Sequence, residues 1–135
     1  MAQEIFIDAN IFLEIFLEDS KSEKCKNYLK SLQEQGAIAL TTDFIVYSCI
    51  LIVQNKAKEA KLIRNSIIFF NSFQNLRIIR PSIGEIYNAV EVMEVNNLDF
   101  DDSLAVACMK KHGIKEILSM DRHFDRMKEI KRIGV

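Results

Sequence analysis

Aspartates occupy three places in this chain where carboxylates can do chemistry. Asp8 closes the apolar run EIFI, Asp121 closes EILSM, and Asp99, Asp101 and Asp102 open the stretch LDFDDSLAVACM. Ligands of open parallel sheets bind beyond the carboxyl ends of the strands, and the positive end of a helix favours anions. These positions therefore predict three acidic sites around one crevice. Gathered carboxylates repel one another and raise each other's pKa unless a divalent cation neutralises them. Oxygen ligands with retained waters suit Mg²⁺ or Mn²⁺. Such an ion binds a phosphate oxygen, lowers the pKa of an attacking water and aligns the two for in-line displacement. That is phosphodiester chemistry. Each acid also has a structural reading: Asp8, Asp99 and Asp101 as helix caps, Asp121 as a turn former. Capping leaves Asp102 unexplained, because it falls inside the first turn of a helix whose next residues, Leu104 to Met109, are nearly all apolar. A charge at the mouth of a buried helix needs a partner.

The elements that position these acids follow from periodicity and caps. EIFID reads as a strand, and Ile11, Phe12, Ile15 and Phe16 give a helix over 9–18. Asp19-Ser20 with Glu23 predicts a capped helix that Gly36 closes. AIALT at 37–41 is a strand, Thr42-Asp43 a cap, and Phe44 to about Lys56 an apolar helix followed by an amphipathic stretch to Phe73. LRIIRP at 76–81 is a third strand, stopped by proline. Ser82 and Glu85 form a capping box for a helix to about Asn96, and the helix begun by Asp99 or Asp101 ends at Gly113. EILSM and KRIGV supply the last strands. Alternating strands and helices predict a three-layer α/β/α sandwich around a central, mostly parallel sheet.

Composition sets the frame. With 135 residues, 49% of them apolar and 27% charged, the chain is expected to be a single domain spanning 1–135, able to fold without staples. Its 18 basic and 19 acidic side chains exclude the overall basic excess of a strong non-specific nucleic-acid binder, though not a local basic patch. Three widely spaced cysteines, Cys25, Cys49 and Cys108, make neither a disulfide framework nor a zinc site. Reduced thiols and an acidic N-terminus without a long apolar region predict a cytoplasmic protein. The apolar run Phe44–Val53 is about half of a bilayer crossing, so it is read as a buried helix or a subunit interface, and no membrane association is expected. No P-loop, dinucleotide or serine-hydrolase motif is present.

FIDANIFL near the N-terminus, DFDDSLAVACMKKHGI late in the chain and ILSMDRHFD after it resemble the PIN-domain nucleases, metal-dependent ribonucleases that include the toxins of VapBC-type toxin–antitoxin pairs. The likeness spans almost the whole chain. It implies that Asp8, Asp102 and Asp121 bind Mg²⁺ or Mn²⁺, directly or through water, and are the catalytic acids of an endoribonuclease. It further implies that Asn10, in the D-x-N pattern, orients Asp8 or a water, and that Thr42 is the family's small hydroxyl residue. Asp101 becomes a supporting acid or cap, and Asp125 an auxiliary acid. RNA is the implied substrate, an antitoxin the implied protein partner, and the Phe44–Val53 helix suits a homodimer or antitoxin interface.

One departure stands out. The family usually places a glutamate about six residues beyond the hydroxyl, where this chain has Ser48. Asp43 and Glu14 are the acids that could substitute. With one acid fewer, the rival reading is a catalytically weak or inactive PIN-like module that binds RNA or a protein. The basic residues are mostly expected on solvated helix faces. Arg122, His123 and Arg126 follow Asp121 directly and are the candidates for holding an RNA backbone near the metal.

Overall fold

A computed structural model describes residues 2–135. The elements run β1 (Glu4–Ile7), α1 (Ala9–Phe16), α2 (Ser22–Glu34), β2 (Ile38–Thr42), α3 (Asp43–Ala57), α4 (Ala60–Ser72), β3 (Leu76–Ile79), α5 (Ile83–Asn96), α6 (Phe100–His112), β4 (Glu116–Leu118), a 3-10 turn (Arg122–Arg126) and β5 (Lys131–Ile133). The five strands form one sheet in the order β3-β2-β1-β4-β5, every pair parallel.

This order explains the layers. The chain steps outward from β1 through β2 to β3, then returns past β1 to β4 and β5. Right-handed crossovers put α1 to α4 on one face, and the reversed step from β3 to β4 puts α5 and α6 on the other. The architecture is the expected three-layer α/β/α sandwich. Because both faces are covered, Ile5, Phe6 and Ile7 of the central strand are all fully buried, instead of alternating. On the first face Phe12 and Phe16 stack on each other and meet Phe69 and Phe70 edge to face, with Phe12 and Phe70 centroids 4.9 Å apart. α5 and α6 meet through Ala89, Leu104, Ala107 and Cys108.

Local signals set most boundaries. Ser82 and Glu85 make both halves of the capping box at α5. Gly113, at φ 68°, ends α6 in the left-handed conformation that glycine adopts without strain. Lys58, also left-handed, separates α3 from α4. Three expectations are corrected. α2 starts at Ser22 with Lys21 as its cap residue and no cap from Ser20, because the Glu14 carboxylate of α1 accepts the Lys21 N–H at 2.8 Å and takes over that role. β3 ends at Ile79, ahead of Pro81, and β4 ends at Leu118, so Ser119 and Met120 lead into the turn. The apolar helix α3 is only half-buried: Ile45, Cys49 and Val53 face the core, while Tyr47 and Leu51 are 63% and 58% exposed. The three cysteines are free and buried. Among the described residues, no helix is long and apolar enough to cross a membrane.

Candidate metal centre

The strand order reverses between β1 and β4, and a parallel sheet opens a crevice at such a point, beyond its carboxyl ends. Pairing of Ile7 with Leu118 puts the next residues, Asp8 and Ser119, side by side, and the Asp8 N–H donates to Leu118 O at 3.0 Å. Asp8 is 8% exposed and densely bonded. Its Oδ1 accepts the Ala9 N–H at 2.8 Å, which caps α1, and its Oδ2 accepts the Ser119 hydroxyl at 2.7 Å and the Asn10 amide at 3.2 Å. Asn10 in turn accepts the Met120 N–H at 3.2 Å through Oδ1. Oδ1 of Asp8 thus serves as the helix cap, while Oδ2 is held by Ser119 and Asn10.

Asp102 enters from the opposite layer. It lies in the first turn of α6 and is 8% exposed, whereas Asp101 beside it points to solvent. Asp99 is the cap residue but makes no side-chain capping bond. Asp121 follows β4 and uses Oδ1 to accept the His123 N–H at 2.9 Å, forming the 3-10 turn, with His123 Nδ1 3.1 Å from the same oxygen. Ligating atoms of Asp102, Asp121 and His123 all lie within 4.8 Å of one another. Asp8 stands outside that set, yet its charge reaches Asp102.

Electrostatics mark the same place. Burial, then repulsion from Asp101, Asp8 and Asp121, pushes the Asp102 carboxyl up to about 7. Burial also raises Asp8, against the lowering effect of its Ser119 and Ala9 hydrogen bonds. Among the described residues no lysine or arginine pairs with Asp8, Asp102 or Asp121. Two buried carboxylates without a protein cation, next to a third and an imidazole, are a donor set that fits a divalent ion.

A family model described as the PIN domain matches residues 5–130. The chain belongs to the PIN-domain family. A relative described as Ribonuclease VapC1, from Aquifex aeolicus (strain VF5), is 27% identical over 125 residues, covering 91% of this chain and 85% of its own length. Among solved structures, Mycobacterium tuberculosis VapC20, described as a sarcin-ricin loop cleaving toxin, superposes with a TM-score of 0.78 at 15% identity, over 92% of this chain and 95% of the other. VapBC2 from Rickettsia felis, solved bound to a DNA fragment from its promoter, gives 0.76 at 14% identity over 98% of both chains.

Within this PIN domain the remaining expected residues separate into two groups. Asn10 belongs to the cluster through its bonds to Asp8 and Met120. Thr42 is buried and caps α3, accepting the Ile45 N–H at 3.1 Å. Glu14 is occupied at the α2 N-terminus. Asp43 is half-buried in the first turn of α3, and its charge is felt at Cys108. Asp125 is gripped by Arg132, whose Nε and Nη2 donate to its two oxygens at 2.9 and 3.3 Å. Arg122 is exposed, and Arg126 donates to Asn97 O at 3.3 Å.

Sequence reasoning missed Ser119. Fully buried, it donates to Asp8 and accepts from the Asp121 N–H at 2.9 Å and the Asn10 amide at 3.2 Å, so one hydroxyl ties β1 to β4. The signal was a serine in an apolar strand two residues before an acid. Arg132, which also donates to Ser119 O at 3.0 Å, was hidden in a basic run.

Proposed function

We propose that this PIN-domain chain is a Mg²⁺- or Mn²⁺-dependent endoribonuclease and serves as the toxin of a toxin–antitoxin pair. The observation that carries the reading is the convergence of buried Asp102 with Asp121 and His123, beside Asp8, at the carboxyl ends of the sheet, with no lysine or arginine among the described residues to neutralise them. Asp102 and Asp121 would hold the ion, with Asp8 contributing directly or through water. A divalent ion bound there supplies charge for a phosphate oxygen and lowers the pKa of water. The chain's own residues do the rest. Asn10 and Ser119 fix Asp8, and Arg122 and Arg126, on the turn that follows Asp121, would contact the RNA backbone. The relatives named as a ribonuclease and as VapC and VapBC proteins support RNA as substrate and an antitoxin as partner. The exposed Tyr47 and Leu51 on α3 support the expected homodimer, which light scattering after size exclusion tests.

The experiment is cleavage of a structured RNA mixture by the wild type with Mn²⁺, by the wild type with EDTA, and by Asp8→Asn with Mn²⁺. Cleavage that needs both the ion and Asp8 is the expected result. A second reading, a PIN module that binds RNA without cutting it, is favoured by Ser48 in place of glutamate. Folded wild type that binds RNA and leaves it intact in Mn²⁺ would establish that reading instead.

A further inference from the structure

His123, a candidate RNA contact by its place in the sequence, stands beside two of the acids. Its ring is one of three groups whose ligating atoms fall within 4.8 Å of one another, the others being the Asp102 and Asp121 carboxylates. Its position is built rather than incidental. The fully buried Phe124 plugs the 3-10 turn into the core, and Asp121 Oδ1 accepts the His123 backbone N–H at 2.9 Å. Arg132, itself bonded to Ser119 O, grips Asp125 of the same turn. The backbone that carries the imidazole is therefore tied to the core, to β5 and to the acid it faces, and Nδ1 sits 3.1 Å from Asp121 Oδ1.

An imidazole changes which ion such a site prefers. Mg²⁺ is hard, demands oxygen ligands and gives up its waters reluctantly. First-row transition ions accept nitrogen, and Mn²⁺ does so while keeping carboxylate and water ligands. We propose that His123 is a nitrogen ligand of the ion held by Asp102 and Asp121, and that it makes this site selective for Mn²⁺ over Mg²⁺. The inference rests on the metal reading above, and adds to it a ligand and a preference.

The test needs no RNA. Mn²⁺ binding is followed by the loss of the free-ion signal in electron paramagnetic resonance, and Mg²⁺ binding by competition, for wild type, His123→Ala, Asp121→Asn and a His112→Ala control. His123 is more than half exposed, so its truncation leaves the core intact. The expected result is wild-type Mn²⁺ binding with nitrogen modulation in the electron spin echo. His123→Ala should remove that modulation and weaken Mn²⁺ by about tenfold or more, while Mg²⁺ changes by less than about twofold. Asp121→Asn should weaken both ions, and His112→Ala neither. If Mn²⁺ binds without nitrogen modulation, or if His123→Ala weakens both ions equally, His123 only hydrogen-bonds Asp121 and the inference falls while the metal reading stands. Binding of neither ion by the wild type overturns both.

Discussion

Asp125 and Asp102 lie on two elements that border the same end of the sheet, and the fold treats them oppositely. Asp125 is exposed and held by the Arg132 guanidinium through two hydrogen bonds, which keep its carboxyl below the usual range. Asp102 is buried, is repelled by the charges of Asp101, Asp8 and Asp121 and has no lysine or arginine partner among the described residues, and its carboxyl rises to about 7. Where an acid holds structure, the chain supplies the counter-charge; at the crevice it withholds one. A protein selected for stability alone would neutralise or remove Asp102, and the cost of leaving it bare is what the proposed metal ion would offset.

The sharpest way to break this contrast is Asp102→Asn. Removing the charge should lower metal-dependent RNA cleavage by about a hundredfold or more. The same substitution should raise the melting temperature of the metal-free protein, since the repulsion is gone. A loss of both activity and metal-free stability would mean that Asp102 is structural.

The pH dependence follows from the same group. Its folded pKa of about 7 lies above the ordinary value of 3.8, so the native state binds the extra proton more tightly than the unfolded chain does. The stabilisation is complete below about pH 4 and disappears as pH rises through 7. Asp8 is shifted in the same direction and adds to it. Denaturant unfolding of metal-free protein should therefore show a loss on the order of a few kcal/mol from these groups between pH 5 and pH 8. Mn²⁺ should restore most of it at the higher pH, and Asp102→Asn should flatten the slope.

Ser119→Ala tests whether the two acids depend on a common anchor. It strips Asp8 of a donor, leaves the half-buried Asp121 N–H without its acceptor and leaves the Asn10 amide only Asp8 to donate to. An unfolding cost of about 1–3 kcal/mol is expected, with cleavage about tenfold lower as the carboxylates lose their alignment. Ser119→Thr, which keeps the hydroxyl, should recover cleavage more than stability if the extra methyl crowds this fully buried position.

How much of this could be read from the sequence depends on whether a signal is local. The parallel α/β class, the strand end at Asp8 and the Ser82–Glu85 box each depend on a few neighbouring residues, and each appears where expected, whereas β4 stops at Leu118, three residues before Asp121. The start of α2 was misread because its cap comes from Glu14, seven residues upstream on another helix. Asp101 and Asp102 were inseparable by periodicity, since the apolar residues after them cover most of the helix surface; burial against the sheet distinguishes them. Ser119 and Arg132 act across strands, and β-pairing register is a long-range property that no local pattern encodes.

The smallest effect should come from the neutralised side of the comparison. Asp125→Asn leaves a hydrogen-bond acceptor for Arg132 and disturbs an exposed pair that water and salt already screen. The melting temperature should stay within about two degrees of wild type, and Mn²⁺ affinity should be unchanged. If Asp125→Asn weakens Mn²⁺ binding as strongly as Asp121→Asn does, then the turn from Arg122 to Arg126 transmits to the centre, and Arg132 is holding the position of His123 as well as a surface acid. Raising the salt concentration separates the two cases. Screening should erase a surface ion pair's influence, while a displacement of the turn would persist.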